Sequence, residues 1–225
     1  MTTTAPAPST LSLSDFVAAC EAGENPVILL EGRRAIPDAW AVKAERVAAL
    51  LARRLPRAIF RTGNAPGSDV AFARGVASVD ANRLQYVVPY SGWRGNSMQA
   101  GGRVLEFDRL SEARVDDARD LAIAVSAGHQ RLFKNYRQVG RSLTAGWESK
   151  PQAAARLLLR DVVKVTGCPE EGFAPAAVGL FYVDPAKPYD GGTGHTIRAC
   201  ERCQVPVHSQ KVWGRWLEQA GDAEH

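Results

Sequence analysis

A Rossmann-like α/β fold is what this sequence predicts: a doubly wound, mostly parallel sheet of about five strands flanked by helices. Three observations carry that expectation. Short continuous apolar runs such as Val27-Ile28-Leu29-Leu30 read as parallel strands buried on both faces. These runs alternate with helical periodicities, the pattern of βαβ units joined by right-handed crossovers. Small and polar turns stand at the carboxyl ends of the strands, where open parallel sheets hold ligands.

The elements follow in order. Val27–Leu30 ends in Glu31-Gly32-Arg33-Arg34, and a helix follows from about Pro37 to Arg54 with Trp40, Val47, Leu50 and Leu51 at helical spacing. Pro56 closes it and Ala58–Arg61 begins a second strand. Thr62-Gly63-Asn64-Ala65-Pro66-Gly67-Ser68-Asp69 then turns into a short helix reaching Ala77, with Ser68 as its expected N-cap. Leu84–Pro89 is the third strand, followed by a Gly-rich loop to Gly102 that holds Trp93 and Arg94. Ser111–Gln130 reads as a helix, and Phe133 to about Leu143 as a separate one after a break near Gly128. Pro151 opens a helix to Leu159. Ala176–Val183 is the fourth strong strand, and a helix over Thr196–Arg202 leads to a last strand, Val205–His208. Val212–Gln219 is a terminal helix whose Trp213 and Trp216 form a stripe suited to docking on the core.

A length of 225 residues suits one domain and is too short for two of about 150 residues each. The expected organisation is a disordered lead-in and short helix over 1–24, the Rossmann-like domain over 25–209 with a helical elaboration about 111–160, and a helix and tail over 210–225. Hydrophobic content of 45% and charged content of 23% are ordinary for a soluble protein. No apolar run approaches the roughly 20 residues that cross a bilayer, so no membrane partner is expected. Met1–Thr10 lacks a basic start and an apolar core, unlike a secretory signal. Four cysteines then suggest reduced thiols and a cytoplasmic setting. The net charge of +4 permits contact with phosphates or nucleic acid without arguing for it.

The most informative stretch is Asp190-Gly191-Gly192-Thr193-Gly194-His195-Thr196, between the fourth strand and a helix. Glycines there let the backbone approach a ligand closely, and the following helix aims free N–H groups and its positive dipole end at the same point. Together with the Gly63–Asp69 turn, this predicts a shared crevice for a nucleotide or other phosphorylated small molecule. Arg33 offers a planar fork to a phosphate, or is an ordinary surface arginine. Asp69 could accept hydrogen bonds from a ribose, though its own helix dipole is the favoured role. Thr193 and Thr196 either touch an anion or cap their helix.

The order of strand, Gly-Arg-Arg, helix, strand, Thr-Gly-Asn-Ala-Pro-Gly-Ser-Asp, helix, strand, and a late Gly-Gly-Thr-Gly-His-Thr resembles the SLOG superfamily. That group of Rossmann-like proteins includes the DNA-processing DprA/Smf proteins and the LOG phosphoribohydrolases. The resemblance spans about Val27 to Val207, with Leu158-Leu159-Arg160-Asp161-Val162-Val163 similar to the segment preceding the fourth strand. It implies a crevice for a nucleotide, a nucleotide derivative or single-stranded nucleic acid. By position that expectation falls on Gly32, Arg33, Gly63, Gly67 and Asp69. In the late turn it falls on Gly191, Gly192, Thr193, Gly194 and Thr196. LOG enzymes carry Pro-Gly-Gly-x-Gly-Thr-x-x-Glu; here Asp190 stands for the proline, His195 for the threonine and Arg198 for the glutamate. Losing that carboxylate argues against the LOG reaction, and the late turn is closer to DprA/Smf.

His195 is the candidate catalytic residue, with Asp190, Asp184 or Glu31 as a carboxylate partner. His195, Cys200, Cys203 and His208 invite a zinc reading, but they scatter over a helix and the next strand, so no metal or cofactor is expected. Buried thiols are the preferred reading of the cysteine pair. The expected function is therefore binding of a nucleotide-derived ligand, as a sensor or a nucleic-acid-processing accessory. Nucleotide hydrolysis through His195 is the first alternative and single-stranded DNA binding the second. A homo-oligomer is possible through the tryptophan stripe.

Overall fold

The computed structural model describes residues 11–126, 128, 130–134, 136 and 149–221. Six parallel strands form one sheet in the order β4-β3-β2-β1-β5-β6. They are β1 (Val27–Gly32), β2 (Ile59–Thr62), β3 (Leu84–Val88), β4 (Arg103–Glu106), β5 (Val178–Tyr182) and β6 (Val207–Ser209). The sheet has one strand more than expected. β4 escapes notice because only Leu105 of its four residues is buried, so no apolar run marks it.

The helices are α1 (Leu13–Glu21), α2 (Asp38–Arg54), α3 (Ser68–Asp80), α4 (Glu112–Val125), α5 (Gln130–Lys134), α6 (Lys150–Thr166), α7 (Gly191–Arg202), α8 (Gln210–Trp213) and α9 (Trp216–Gly221). Strand side chains alternate between two cores. Ile28, Leu30, Leu84, Tyr86 and Leu180 face one core with α1, α2, α3, α8 and α9, while Leu29, Val87 and Phe181 face the other with α4 to α7. Trp213 and Trp216 are fully buried in the first, Trp213 edge-on to Phe72 at 5.4 Å, so the tryptophan stripe docks on the core. Truncating a buried tryptophan of this kind to alanine costs about 3–5 kcal/mol.

Some boundaries move for local reasons. α7 begins at Gly191, so the glycines form the first turn of the helix rather than a loop before it; Asp190 is the cap, its Oδ1 accepting from the Gly191 N–H at 2.9 Å. Gly67, not Ser68, occupies the N-cap position of α3, because its φ of +84° suits glycine. The Ser68 hydroxyl instead donates to the Arg33 carbonyl at 2.8 Å. Pro151 is the second residue of α6, which runs on to Thr166. The expected helix over 133–143 lies largely outside the described residues. Cys200 is buried but Cys203 is exposed, which corrects the reading of both as buried. No described helix is long and apolar enough to cross a membrane.

Candidate functional site

Between β1 and β5 the strand order turns back on itself, and the crevice beyond that point is where doubly wound sheets bind ligands. The turn after β1 is pinned there. The Arg33 N–H donates to the Tyr182 carbonyl at 3.1 Å, and the Ser68 N–H donates to the Arg33 carbonyl at 3.2 Å. A Cβ on Gly32 would stand 2.7 Å from both the Ser68 hydroxyl and the Tyr182 carbonyl. The ends of β1 and β5 and the start of α3 therefore meet at one glycine.

A cavity of about 370 Å³ opens at this point. Gly32, Arg33, Asp69, Gly191, Gly192 and Thr193 line it, so segments from three distant parts of the chain converge as expected. Four other candidates serve the framework. Gly63 lies behind the wall, where a Cβ would come within 2.1 Å of Arg160 Nη1. Gly67 gives way to the Arg34 carbonyl and Gly194 to the Tyr189 backbone, each leaving 2.1 Å or less for a Cβ. Thr196 is buried and donates to the Gly192 carbonyl at 3.0 Å within its own helix. Thr196 therefore braces α7 rather than capping it. The loop after β3, which holds Trp93 and Arg94, is not part of the cavity wall.

The floor is a cluster of buried charge. Glu31 shares its strand face with Leu29, two residues earlier, and so continues onto the side covered by α6. There its Oε2 meets Lys164 Nζ in a short contact. Lys164 also pairs with Asp161 Oδ1 at 2.9 Å, and Arg160 Nη2 stands 3.2 Å from the same oxygen. Arg160 Nη1 donates to the Gly63 and Val87 carbonyls at 2.8 and 3.2 Å, tying α6 to the ends of β2 and β3. Asp69 Oδ2 accepts from the Ala65 N–H at 3.1 Å.

Burial sets the protonation of this cluster. Burial first, then repulsion from Asp69, raises the Glu31 pKa to about 8 despite the attraction of Lys164. Asp69 is raised by burial too. Burial would raise Asp161 as well, but Lys164 and Arg160 outweigh it and hold Asp161 below the usual carboxylate range. Lys164 is lowered by burial yet ends up raised, because Asp161 and Glu31 favour its charge. Asp161 is thus held as the anion and Lys164 as the cation, while burial favours the neutral acid at Glu31. Glu31 Oε1 has no hydrogen-bond partner among the described residues.

The α6 contribution was the part of the site that sequence reasoning missed. Arg156, Arg160 and Lys164 recur every four residues and are all buried, a charged stripe among Leu159, Val162 and Val163. That spacing, on a helix expected to pack, was the available signal. A second feature went unseen: Trp93 lies under Arg94 at 5.0 Å and Tyr90 under Arg156 at 5.6 Å, an aromatic and basic pairing that the sequence did not display as an alternation.

His195 lies in the second turn of α7, 3% exposed, rather than in an open turn. Burial lowers its pKa, and the carboxylate acting on it is Asp161 from α6, not the three partners expected from neighbouring turns. Asp184 is engaged elsewhere, with Arg33 Nη1 at 2.5 Å. Arg198, standing where the LOG glutamate would be, is a brace: its Nε donates to the Val125 carbonyl at 2.9 Å and its Nη1 to the Tyr189 carbonyl at 3.0 Å.

No family model matches the chain. No curated protein matches it either. Among solved structures, one reporting the single-stranded DNA binding mode of DNA processing protein A from Helicobacter pylori is similar, with a TM-score of 0.47 and 13% identity. The likeness covers 83% of this chain and 65% of that one, so the chain spans less than two thirds of its neighbour. Likeness at that level assigns neither ligand nor activity.

Proposed function

We propose that this protein binds a phosphorylated, nucleotide-derived small molecule at the carboxyl ends of β1 and β5. The observation that carries the reading is the convergence of Gly32–Arg33, Asp69 and Gly191–Thr193 on one cavity with a buried acid–base floor. The first turn of α7 supplies backbone N–H groups and a positive dipole end for phosphate, and Arg33 and Lys187 add cationic side chains. Glu31 and Asp69 below them suit the hydroxyl groups of a sugar, which need acceptors or a shared proton.

Calorimetry against a panel of sugar phosphates, nucleotides and a single-stranded oligonucleotide tests this. The expected result is binding of at least one small phosphorylated member, weakened tenfold or more by Gly192→Asp and retained in Gly192→Ala. A methyl group on Gly192 would stand 3.3 Å from Asp161 Oδ2, a tight contact that asks that carboxylate to give by a few tenths of an ångström, whereas a carboxylate there would face both Asp161 and the ligand phosphate. Binding of the oligonucleotide alone, or no binding at all, overturns the proposal.

Turnover is the second reading, and Glu31 favours it. A carboxyl group protonated near neutral pH beside a ligand cavity is equipped to donate a proton to a leaving group. Free base or free phosphate released from nucleoside monophosphates, and lost in Glu31→Gln, would establish hydrolysis.

A further inference from the structure

The charges in the cavity floor do not balance. Five ionisable residues form it, each no more than 6% exposed: the acids Glu31, Asp69 and Asp161 and the cations Arg160 and Lys164. They act as one group. Lys164 bridges Glu31 and Asp161, Arg160 stands beside Asp161, and both cations attract Asp69 from across the start of α3. Fully ionised, three carboxylates and two cations leave one uncompensated negative charge in a desolvated interior, which is unfavourable. One added proton makes the group neutral.

The surrounding elements do not supply the missing charge. Arg61 on β2 shares the face of Leu29, its register partner on β1, but donates to Gln85 and to the Lys164 and Ala174 carbonyls, and burial alone shifts it. From α7, burial lowers the His195 pKa and pushes the Cys200 thiol up to about 12, which favours the neutral form of each. At the exposed rim Arg33 is paired with Asp184, and Arg34, Lys187 and Asp190 stand in solvent. Within the floor the proton has a definite seat. Asp161 has Lys164 at 2.9 Å and Arg160 at 3.2 Å. Asp69 accepts from the Ala65 N–H and lies in the first turn of α3, where the helix dipole favours an anion. Glu31 has the Lys164 contact on Oε2, while its buried Oε1 has no hydrogen-bond partner among the described residues. Burial, then repulsion from Asp69, raises the pKa of this acid to about 8.

We infer that the floor is a proton site coupled to the crevice above it: an anion binds tightly while the floor is neutral, and loss of the proton from Glu31 sets an uncompensated carboxylate beneath it. Coupling of this kind is reciprocal, so an anion entering the crevice draws a proton onto Glu31. No contact between the anion and Glu31 is needed, because charge acts over several ångströms through a poorly screened interior. The coupling rests on the reading of the crevice as a phosphate site, and it adds what regulates that site.

Inorganic sulfate is the probe, since it stays a dianion from pH 6.5 to 9 and adds no titration of its own. Calorimetry in two buffers of different ionisation enthalpy reads both its affinity and the protons taken up. For wild type, sulfate affinity is expected to fall at least about fivefold across that range, with net proton uptake on binding in its alkaline half. Glu31→Gln keeps the shape and removes the titration; its sulfate affinity is expected to vary less than about twofold, with no proton uptake. Asp69→Asn is an independent arm. Two carboxylates then balance two cations, Glu31 ionises more readily, and the fall is expected at least about one pH unit lower. An equal fall in wild type and Glu31→Gln, an unshifted fall in Asp69→Asn, or no proton uptake by wild type overturns the coupling and leaves the phosphate reading standing. No binding of sulfate to wild type at any pH overturns both.

Discussion

The Arg160 guanidinium occupies the space that a side chain on Gly63 would need. A Cβ there would stand 2.1 Å from Nη1, and that same nitrogen donates to the Gly63 carbonyl at 2.8 Å. The glycine after β2 thus serves a buried arginine of α6 rather than a ligand. Its φ is not in the left-handed region, so space alone requires glycine.

Gly63→Ala should displace Arg160 from the Gly63 and Val87 carbonyls and unsettle its pairing with Asp161. Overpacking a filled interior costs about 1–3 kcal/mol, and buried hydrogen bonds lost to a charged group add to it. Chemical denaturation should show a loss of at least about 2 kcal/mol. An unchanged midpoint would mean that Arg160 finds equal partners elsewhere.

Glu31 makes stability depend on pH in a defined direction. Its folded pKa of about 8 lies above the usual carboxylate value, so the folded state holds this proton more tightly than the unfolded chain does. Stability from this group is full below about pH 4.5 and is lost as pH rises towards about 8, at up to about 1.4 kcal/mol per pH unit. Thermal unfolding across pH 5–9 should therefore show wild type losing stability relative to Glu31→Gln. Parallel curves for the two proteins would refute the raised pKa.

Arg198 is expected to be structural. Arg198→Glu places a carboxylate on α7 but removes the donors to the Val125 and Tyr189 carbonyls. The expected outcome is destabilisation by about 1–3 kcal/mol and no release of base from nucleoside monophosphates. Gain of such hydrolysis, measured by product chromatography, would show instead that one carboxylate is all the site lacks.

Gly67 carries both a backbone and a packing constraint, with φ of +84° and the Arg34 carbonyl 2.1 Å from a built Cβ. Gly67→Ala should cost about 1–3 kcal/mol, from the strained conformation. It should also weaken ligand binding, since the Arg33–Arg34 turn must shift. A stable variant with wild-type affinity would place the turn under no such constraint.

Much of the architecture was legible because burial on both faces leaves a strong mark. β3 and β5 are buried at every position and β1 at all but its last, each around a run of apolar residues. β4 was not legible, since an edge strand with one buried residue has no pattern to read. The helix boundary at Gly191 was misplaced for a related reason: glycine propensity argues for a turn, while the Asp190 cap and close packing of Gly194 on Tyr189 favour helix.

Within the site, six of the ten expected ligand-facing residues line the cavity and four brace it. Glycine in a sequence marks close approach without saying what approaches; for Gly63, Gly67 and Gly194 it is the protein itself. What residue order alone determined was the alternation of strands and helices and the presence of small turns at the strand ends, because hydrophobic period and backbone freedom are local properties. That Glu31, Asp161 and Lys164 share one buried floor, and that His195 is buried against Phe133 rather than set in an open turn, was decided only in three dimensions. Their protonation follows from desolvation and from partners that the fold assembles, Glu31 and Lys164 being 133 residues apart, and neither quantity exists until the chain has folded.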